Sequence, residues 1–227
     1  MIKAKAVIFD LDCTLVDTLE RFFEVFNECL EKRGRKPLGR DEFFKHYVDD
    51  TLDDVVAPTK NSERERVLHE FWMEFLWKYR EGNPKAKLIE GVDEVFQELH
   101  HKGIPIAVIT SCIVPSQKLR EELERYGIGK FVKTTATAHD VVKELERGHH
   151  FSKVEIFQLA AQRLGVDPKD CVVVGDYWND IRDGKRVGAR TVAVLTGLMR
   201  KELLERYKPD AIINSVRDLG SVAEFET

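Results

Sequence analysis

The feature that most narrows the fold is an alternation along the chain. Short apolar, β-branched runs at Ala4 to Phe9, Ile104 to Ile109, Cys171 to Val174 and Thr191 to Leu195 are separated by segments whose apolar residues fall at helical spacing. Runs that are apolar throughout, rather than at every second position, belong to strands buried on both faces, and a parallel sheet covered by helices buries them so. A weaker pair, Phe131 to Thr135 and Ala211 to Ile213, completes the sheet. Between strands, Val92, Val95, Phe96 and Leu99 mark a helix that stops at Gly103, and Ile156, Leu159, Ala160 and Leu164 one that stops at Gly165. Both glycines stand where a left-handed C-terminal cap is expected. The expected class is α/β, a parallel sheet with helices on both faces.

The stretch from Asp17 to Lys87 breaks the alternation. It has no strand-like run and three helical patterns: Leu19, Phe22, Phe23 and Phe26; Phe43, Phe44, Tyr47 and Val48; Val67, Phe71, Trp72 and Phe75. Gly34 to Gly39 and Val56 to Ser62 separate them. Eleven of the 21 aromatic residues lie here, which predicts a small helical bundle with an aromatic core. The domain reading is a discontinuous α/β core over 1–16 and 88–227, with an all-helical domain, 17–87, inserted after strand one.

Composition excludes several partners. Lys plus Arg number 36 against 40 Asp plus Glu, a formal net charge of -4, so no basic field exists to hold nucleic acid or an anionic membrane. The longest uncharged apolar stretch, Gly103 to Val114, is well short of the roughly 20 residues that span a bilayer. Met1 to Val7 has no signal-peptide pattern, so a cytoplasmic location is expected. Cys13, Cys29, Cys112 and Cys171 show no C-x-x-C spacing and read as reduced core thiols.

Candidate chemistry lies at strand ends, where open parallel sheets bind ligands. Asp10-Leu11-Asp12-Cys13-Thr14-Leu15 follows the first strand; the two acids, two positions apart, share a face in extended chain. Gly175-Asp176-Tyr177-Trp178-Asn179-Asp180 follows the strand Cys171 to Val174, and one helical turn puts Asp176 and Asp180 on one face. Taken singly, each pair reads as turn or helix-cap residues. Together they bring four carboxylates to one sheet edge, where each pair repels by roughly 4 kcal/mol at 4 Å and an effective dielectric near 20 unless a cation or proton intervenes. All-oxygen ligands favour Mg²⁺, completed by water and a substrate phosphate. Thr110-Ser111 ends a third strand with two hydroxyls suited to phosphate oxygens. Lys153 precedes a helix beginning near Glu155, where a cation opposes the helix dipole and asks for another partner.

This ordered set, Asp10-x-Asp12-x-Thr14, Thr110-Ser111, Lys153 and Gly175-Asp176-x-x-x-Asp180, resembles the four motifs of the haloacid dehalogenase-like hydrolase superfamily. The helical insert is similar, by position and helicity, to the small cap of its phosphoglycolate phosphatase and β-phosphoglucomutase-like branch. Val194-Leu195-Thr196-Gly197 and Lys208 to Ile213 resemble the last strands of its Rossmann-like core. The stretch Phe151-Ser152-Lys153-Val154-Glu155-Ile156-Phe157 departs from the family's K-P-x-P-E-I-F, and Lys153 is preferred to Lys143. Bulky Tyr177 and Trp178 replace small residues after Gly-Asp. His139, His149 and His150 have no metal spacing and are expected in loops.

The resemblance implies a Mg²⁺-dependent phosphatase of small phosphate monoesters working through an aspartyl-phosphate. Asp10 is the implied nucleophile and Asp12 the general acid and base. Mg²⁺ is held by the Asp10 and Asp176 carboxylates and the Asp12 carbonyl, with Asp180 as a further direct or indirect ligand. Thr110 and Ser111 grip the phosphoryl group, and Lys153 offsets the charge of Asp10 and the phosphate. The alternatives are a phosphomutase of the β-phosphoglucomutase type, whose core motifs are the same, and a catalytically inactive binding protein on this fold. The expected partner is a small-molecule phosphate ester, on a monomer or small homo-oligomer. Arg33, Lys36, Lys45 and His46 are the insert residues that come into question for facing the cleft.

Overall fold

A computed structural model of the chain describes residues 1–80, 86–142 and 152–226. Its centre is a six-stranded parallel sheet, and two small two-stranded sheets flank it. The strands are β1 (Ile2–Ala4), β2 (Ala6–Asp10), β3 (Val16–Asp17), β4 (Lys87–Leu88), β5 (Ile106–Thr110), β6 (Thr134–Thr137), β7 (Cys171–Gly175), β8 (Arg190–Val194), β9 (Ala211–Ile213) and β10 (Ala223–Phe225). The large sheet runs β6-β5-β2-β7-β8-β9. The sequence run Ala4 to Phe9 is thus two strands: β1 leaves the main sheet to pair with β10, and β2 continues at its centre. The expected strand Phe131 to Thr135 lies further along, at Thr134–Thr137, because Gly129–Phe131 forms a 3₁₀ turn ahead of it.

Helices cover both faces. Four fall between β3 and β4: α1 (Leu19–Lys32), α2 (Arg40–Val48), α3 (Leu52–Val56) and α4 (Arg64–Lys78). Next come α5 (Val92–His101), α6 (Ser116–Arg125), α7 (Val154–Leu164) and α8 (Trp178–Arg186). Along β2 the side chains alternate between two cores: Ala6 and Ile8 join α7 and the helical insert, while Val7 and Phe9 join α5 and α6. All five residues of β2, β5 and β7 are buried, as an interior parallel strand requires. Gly165 caps α7 with φ 75°, and Gly103 has φ 70°. The four cysteines are free and buried.

The insert has four helices rather than the expected three, because Leu52–Val56 forms a single extra turn. The fully buried Phe26 ring lies 5.5 Å from Phe43, 5.2 Å from Phe71 and 5.9 Å from Trp72. The insert leaves through β3 and returns through β4, antiparallel neighbours in register Val16↔Leu88 and Asp17↔Lys87. Among the described residues no helix is long and apolar enough to cross a membrane. Truncating the ring at the insert's centre, Phe26→Ala, is expected to lower unfolding free energy by about 3–5 kcal/mol, read by chemical denaturation.

Candidate active site

Strand order brings the motifs together. β2 lies between β5 and β7, and in register Asp10 stands opposite Ile109, one residue from Thr110. Parallel strands end on the same side, so Asp10, Thr110 and Gly175 finish three adjacent strands at one edge. A left-handed turn at Cys13, φ 59°, follows, closed by the Cys13 N–H donating to the Val16 carbonyl at 2.8 Å. It aims Thr14 back at the edge, where its hydroxyl donates to the Asp176 carboxylate at 3.0 Å.

Asp10, Asp176 and Asp180 converge. Each offers an oxygen within 4.8 Å of the others'. All three are buried, Asp180 completely. One Asp180 oxygen accepts the Tyr177 N–H at 3.2 Å at the start of α8. Lys153 is likewise buried, its Nζ 2.7 Å from both Asp10 and Asp180. It immediately precedes α7, and its own N–H donates to the buried Asp183 carboxylate at 2.8 Å, tying the lysine to α8. Lys143, His149 and His150 lie outside the described residues; His139 is exposed.

Two glycines make room for this cluster. A Cβ at Gly197 would fall 1.8 Å from an Asp176 oxygen, and one at Gly175 2.2 Å from the Asp180 carboxyl carbon. Neither position tolerates any other residue without moving an acid.

Burial is the largest influence on these groups. It pushes the Asp176 carboxyl up to about 7, aided by the neighbouring Asp180 charge and opposed by Lys153. Burial also raises Asp10 and Asp180, against the attraction of Lys153. Desolvation disfavours the Lys153 ammonium, but Asp10 and Asp180 outweigh it and hold the proton firmly. Three carboxylates and one ammonium leave an excess of negative charge in a buried site. The donor set is entirely oxygen, which fits a hard divalent cation.

Asp12 stands apart from that cluster. One of its oxygens receives Arg80 at 2.5 Å and the Thr110 hydroxyl at 3.0 Å; the other is buried without a protein partner and borders a cavity. Arg80 also donates to both Glu122 oxygens, at 2.8 and 3.0 Å. Nothing in the sequence singles out this arginine. A basic residue at the end of a helix is ordinary, and its partners lie 68 and 42 positions away. The Ser111 hydroxyl is buried without a protein partner at the same cavity, a donor available to a ligand.

The cavity measures about 170 Å³. Its floor is Asp10, Asp12, Thr110, Ser111, Lys153 and Asp176, and the insert supplies the opposite wall. None of Arg33, Lys36, Lys45 or His46 borders it. Arg33 pairs with Glu74, and His46 with Thr51. Tyr177 and Trp178 do line the cavity, and the Tyr177 hydroxyl reaches across to Asp50 in the insert.

Known proteins resemble this chain over most of its length. A family model described as haloacid dehalogenase-like hydrolase matches residues 7–194, and the chain belongs to that family. Among curated relatives, the pyrophosphatase PpaX of Bacillus velezensis is 27% identical over 221 residues, covering 96% of this chain and 95% of its own. The Bacillus cereus protein of the same name is 28% identical over 218 residues, covering 96% and 95%. A solved hydrolase from Pseudomonas syringae shares the fold with a TM-score of 0.71 at 19% identity, covering 95% of this chain and 96% of that one.

Two outcomes are expected. Arg80→Ala leaves Asp12 and Glu122 without their shared cation and should cost about 3 kcal/mol of stability; Arg80→Lys, unable to hold both acids through a planar fork, should recover only part. Thermal melts read both. For pH, Asp176 is raised from 3.8 to about 7 in the folded chain. A carboxyl that binds its proton more tightly when folded favours the metal-free fold below the unfolded value, and that contribution is lost as pH rises through about 7. A divalent cation needs the ionised form, so Mg²⁺ should raise Tm more at pH 8 than at pH 6, against EDTA controls.

Proposed function

We propose that the chain is a Mg²⁺-dependent phosphatase that hydrolyses small phosphate monoesters through an aspartyl-phosphate on Asp10. The observation that carries this reading is the convergence of Asp10, Asp176 and Asp180 beside the buried Lys153, at the edge of a cavity that also holds Asp12. Asp10, Asp176 and Asp180, with the Asp12 carbonyl, are the groups that would hold the metal. Bound there, Mg²⁺ supplies charge neutralisation for the phosphoryl oxygens that the Asp10 carboxylate approaches.

The protein's own groups carry the rest. The Asp10 oxygen attacks phosphorus, and the bond to the leaving oxygen breaks as that oxygen takes a proton from Asp12. Asp12, now ionised, accepts a proton from the water that opens the aspartyl-phosphate, freeing inorganic phosphate and regenerating Asp10. Ser111 and Thr110 hold phosphoryl oxygens; the free Ser111 hydroxyl supports that role. Lys153 keeps Asp10 from repelling the incoming phosphate. Residues 17–87 act as a cap over a core of 1–16 and 88–227. Its contacts with the core, Tyr177 with Asp50 and Arg200 with Asp49, support a closed arrangement that excludes water.

The test is p-nitrophenyl phosphate hydrolysis by wild type and Asp10→Asn, each with Mg²⁺ and with EDTA. Wild type should turn over only with Mg²⁺, and Asp10→Asn should lose about 10³-fold or more in kcat. Asp10→Asn turning over at the wild-type rate would exclude the mechanism.

A further inference from the structure

The wall facing the catalytic acids has a chemistry of its own. Five rings from the insert line it: Phe22, Tyr47, Trp72, Phe75 and Tyr79. The polar tips of three point to protein partners instead of into the cavity. The Tyr79 hydroxyl donates to the Thr18 carbonyl at 3.2 Å, the Trp72 indole N–H to Asp53 at 2.7 Å, and the Tyr47 hydroxyl to the Cys13 sulfur at 4.0 Å. Leu52 and Leu76 fill the gaps between the rings. The faces these five rings turn toward the cavity are hydrocarbon.

Charge on this wall has one sign. The insert contributes Asp50 and Asp53 to the lining. Among the described residues Lys153 is the only cation that lines the cavity, and its ammonium already lies 2.7 Å from two carboxylates. Asp50 sits in the left-handed region with φ 55°, a strained backbone for a side chain, and accepts the Tyr177 hydroxyl from the core. The backbone at that point is held by cap and core together, so the acid is a fixed part of the rim.

Size narrows the occupant further. At about 170 Å³, and open on one side, the cavity is on the scale of a ligand with a single ring rather than an extended one. We infer that the ester hydrolysed here has a small, apolar leaving group without negative charge, such as a single ring or a short carbon chain. The inference rests on the phosphatase reading above and specifies its substrate class. A second phosphate or a carboxylate on the leaving side would meet ring faces and two like charges. A sugar would set hydroxyls against the ring faces of the wall. Pyrophosphate, for which the PpaX relatives are named, is thus a poor substrate of this chain.

The experiment measures phosphate release by the Mg²⁺-loaded enzyme from phenyl phosphate, pyrophosphate, 2-phosphoglycolate and glucose 1-phosphate, with Asp10→Asn as the control for each. Phenyl phosphate should exceed the other three in kcat/KM by about 100-fold, the scale on which a site rejects a group that finds no partner. Leu52→Lys, which puts a cation on the wall, and Asp50→Asn, which removes a charge from the rim, should each narrow the gap to pyrophosphate and 2-phosphoglycolate about tenfold. A binding measurement free of turnover accompanies them: with Mg²⁺ present, phenylphosphonate should raise the Tm of wild type and methylenediphosphonate should not. Asp10-dependent cleavage of pyrophosphate, 2-phosphoglycolate or glucose 1-phosphate at or above the phenyl phosphate rate overturns the inference and leaves the phosphatase reading standing. If no ester gives Asp10-dependent turnover, the phosphatase reading fails and takes this inference with it.

Discussion

One buried ammonium organises the site. Lys153 stands between Asp10 and Asp180, and because water is excluded both attractions act at low screening. A buried ion pair of this kind is weak evidence of stabilisation, since desolvating the charges offsets what their attraction returns. Its consequence is geometric: with Lys153 tied to Asp183 through its backbone, the end of β2 and the starts of two helices are fixed relative to one another. The third carboxylate, Asp176, has no comparable cation, only the Thr14 hydroxyl. Burial, helped by the Asp180 charge and opposed by Lys153, raises its proton affinity.

Around this centre the molecule divides its work. The ends of β2, β5 and β7 supply the acids and hydroxyls of the cavity floor, because parallel strands end together, and Lys153 joins them from the start of α7. The helical insert supplies the apolar wall, because its rings have nowhere else to be buried. Arg80, at the end of α4, joins the two parts by pairing with Asp12 while anchored on Glu122. The position of Asp12 is thereby sensitive to how the insert sits.

Most of this was legible in the sequence where chemistry and periodicity coincide. The acids could be placed because each pair follows an apolar run, and strand ends are where sheets of this class bind ligands. Lys153 stands out by its helix-start position, just before Glu155-Ile156-Phe157. The insert's helices were readable from ring spacing, except Leu52–Val56, whose single turn is too short to show a period. The division of Ala4 to Phe9 into β1 and β2 was hidden, since both halves are apolar and only the pairing with β10 separates them. Arg80, Asp50 and Asp53 were out of reach for a different reason. Their roles come from contacts across long stretches of chain, and an acid or a base on a helical surface is by default a solvated one. The basic candidates Arg33, Lys36, Lys45 and His46 failed for the same cause: charge identifies a residue type, and only the packing of the insert decides which side faces the cleft.

The crossing between the two parts, β3 beside β4, is two residues wide on each strand. The ends of the inserted segment therefore lie a few ångströms apart, held by the sheet's own ladder and independent of what is strung between them. Such a junction lets a lineage replace the wall of the cavity wholesale while the acids keep their positions. Reaction and selectivity can then drift at different rates along one gene, and a grafted insert of foreign sequence would need to match this chain at that narrow doorway, at the Asp12 and Glu122 contacts of Arg80, and at the Asp49 and Asp50 contacts with the core.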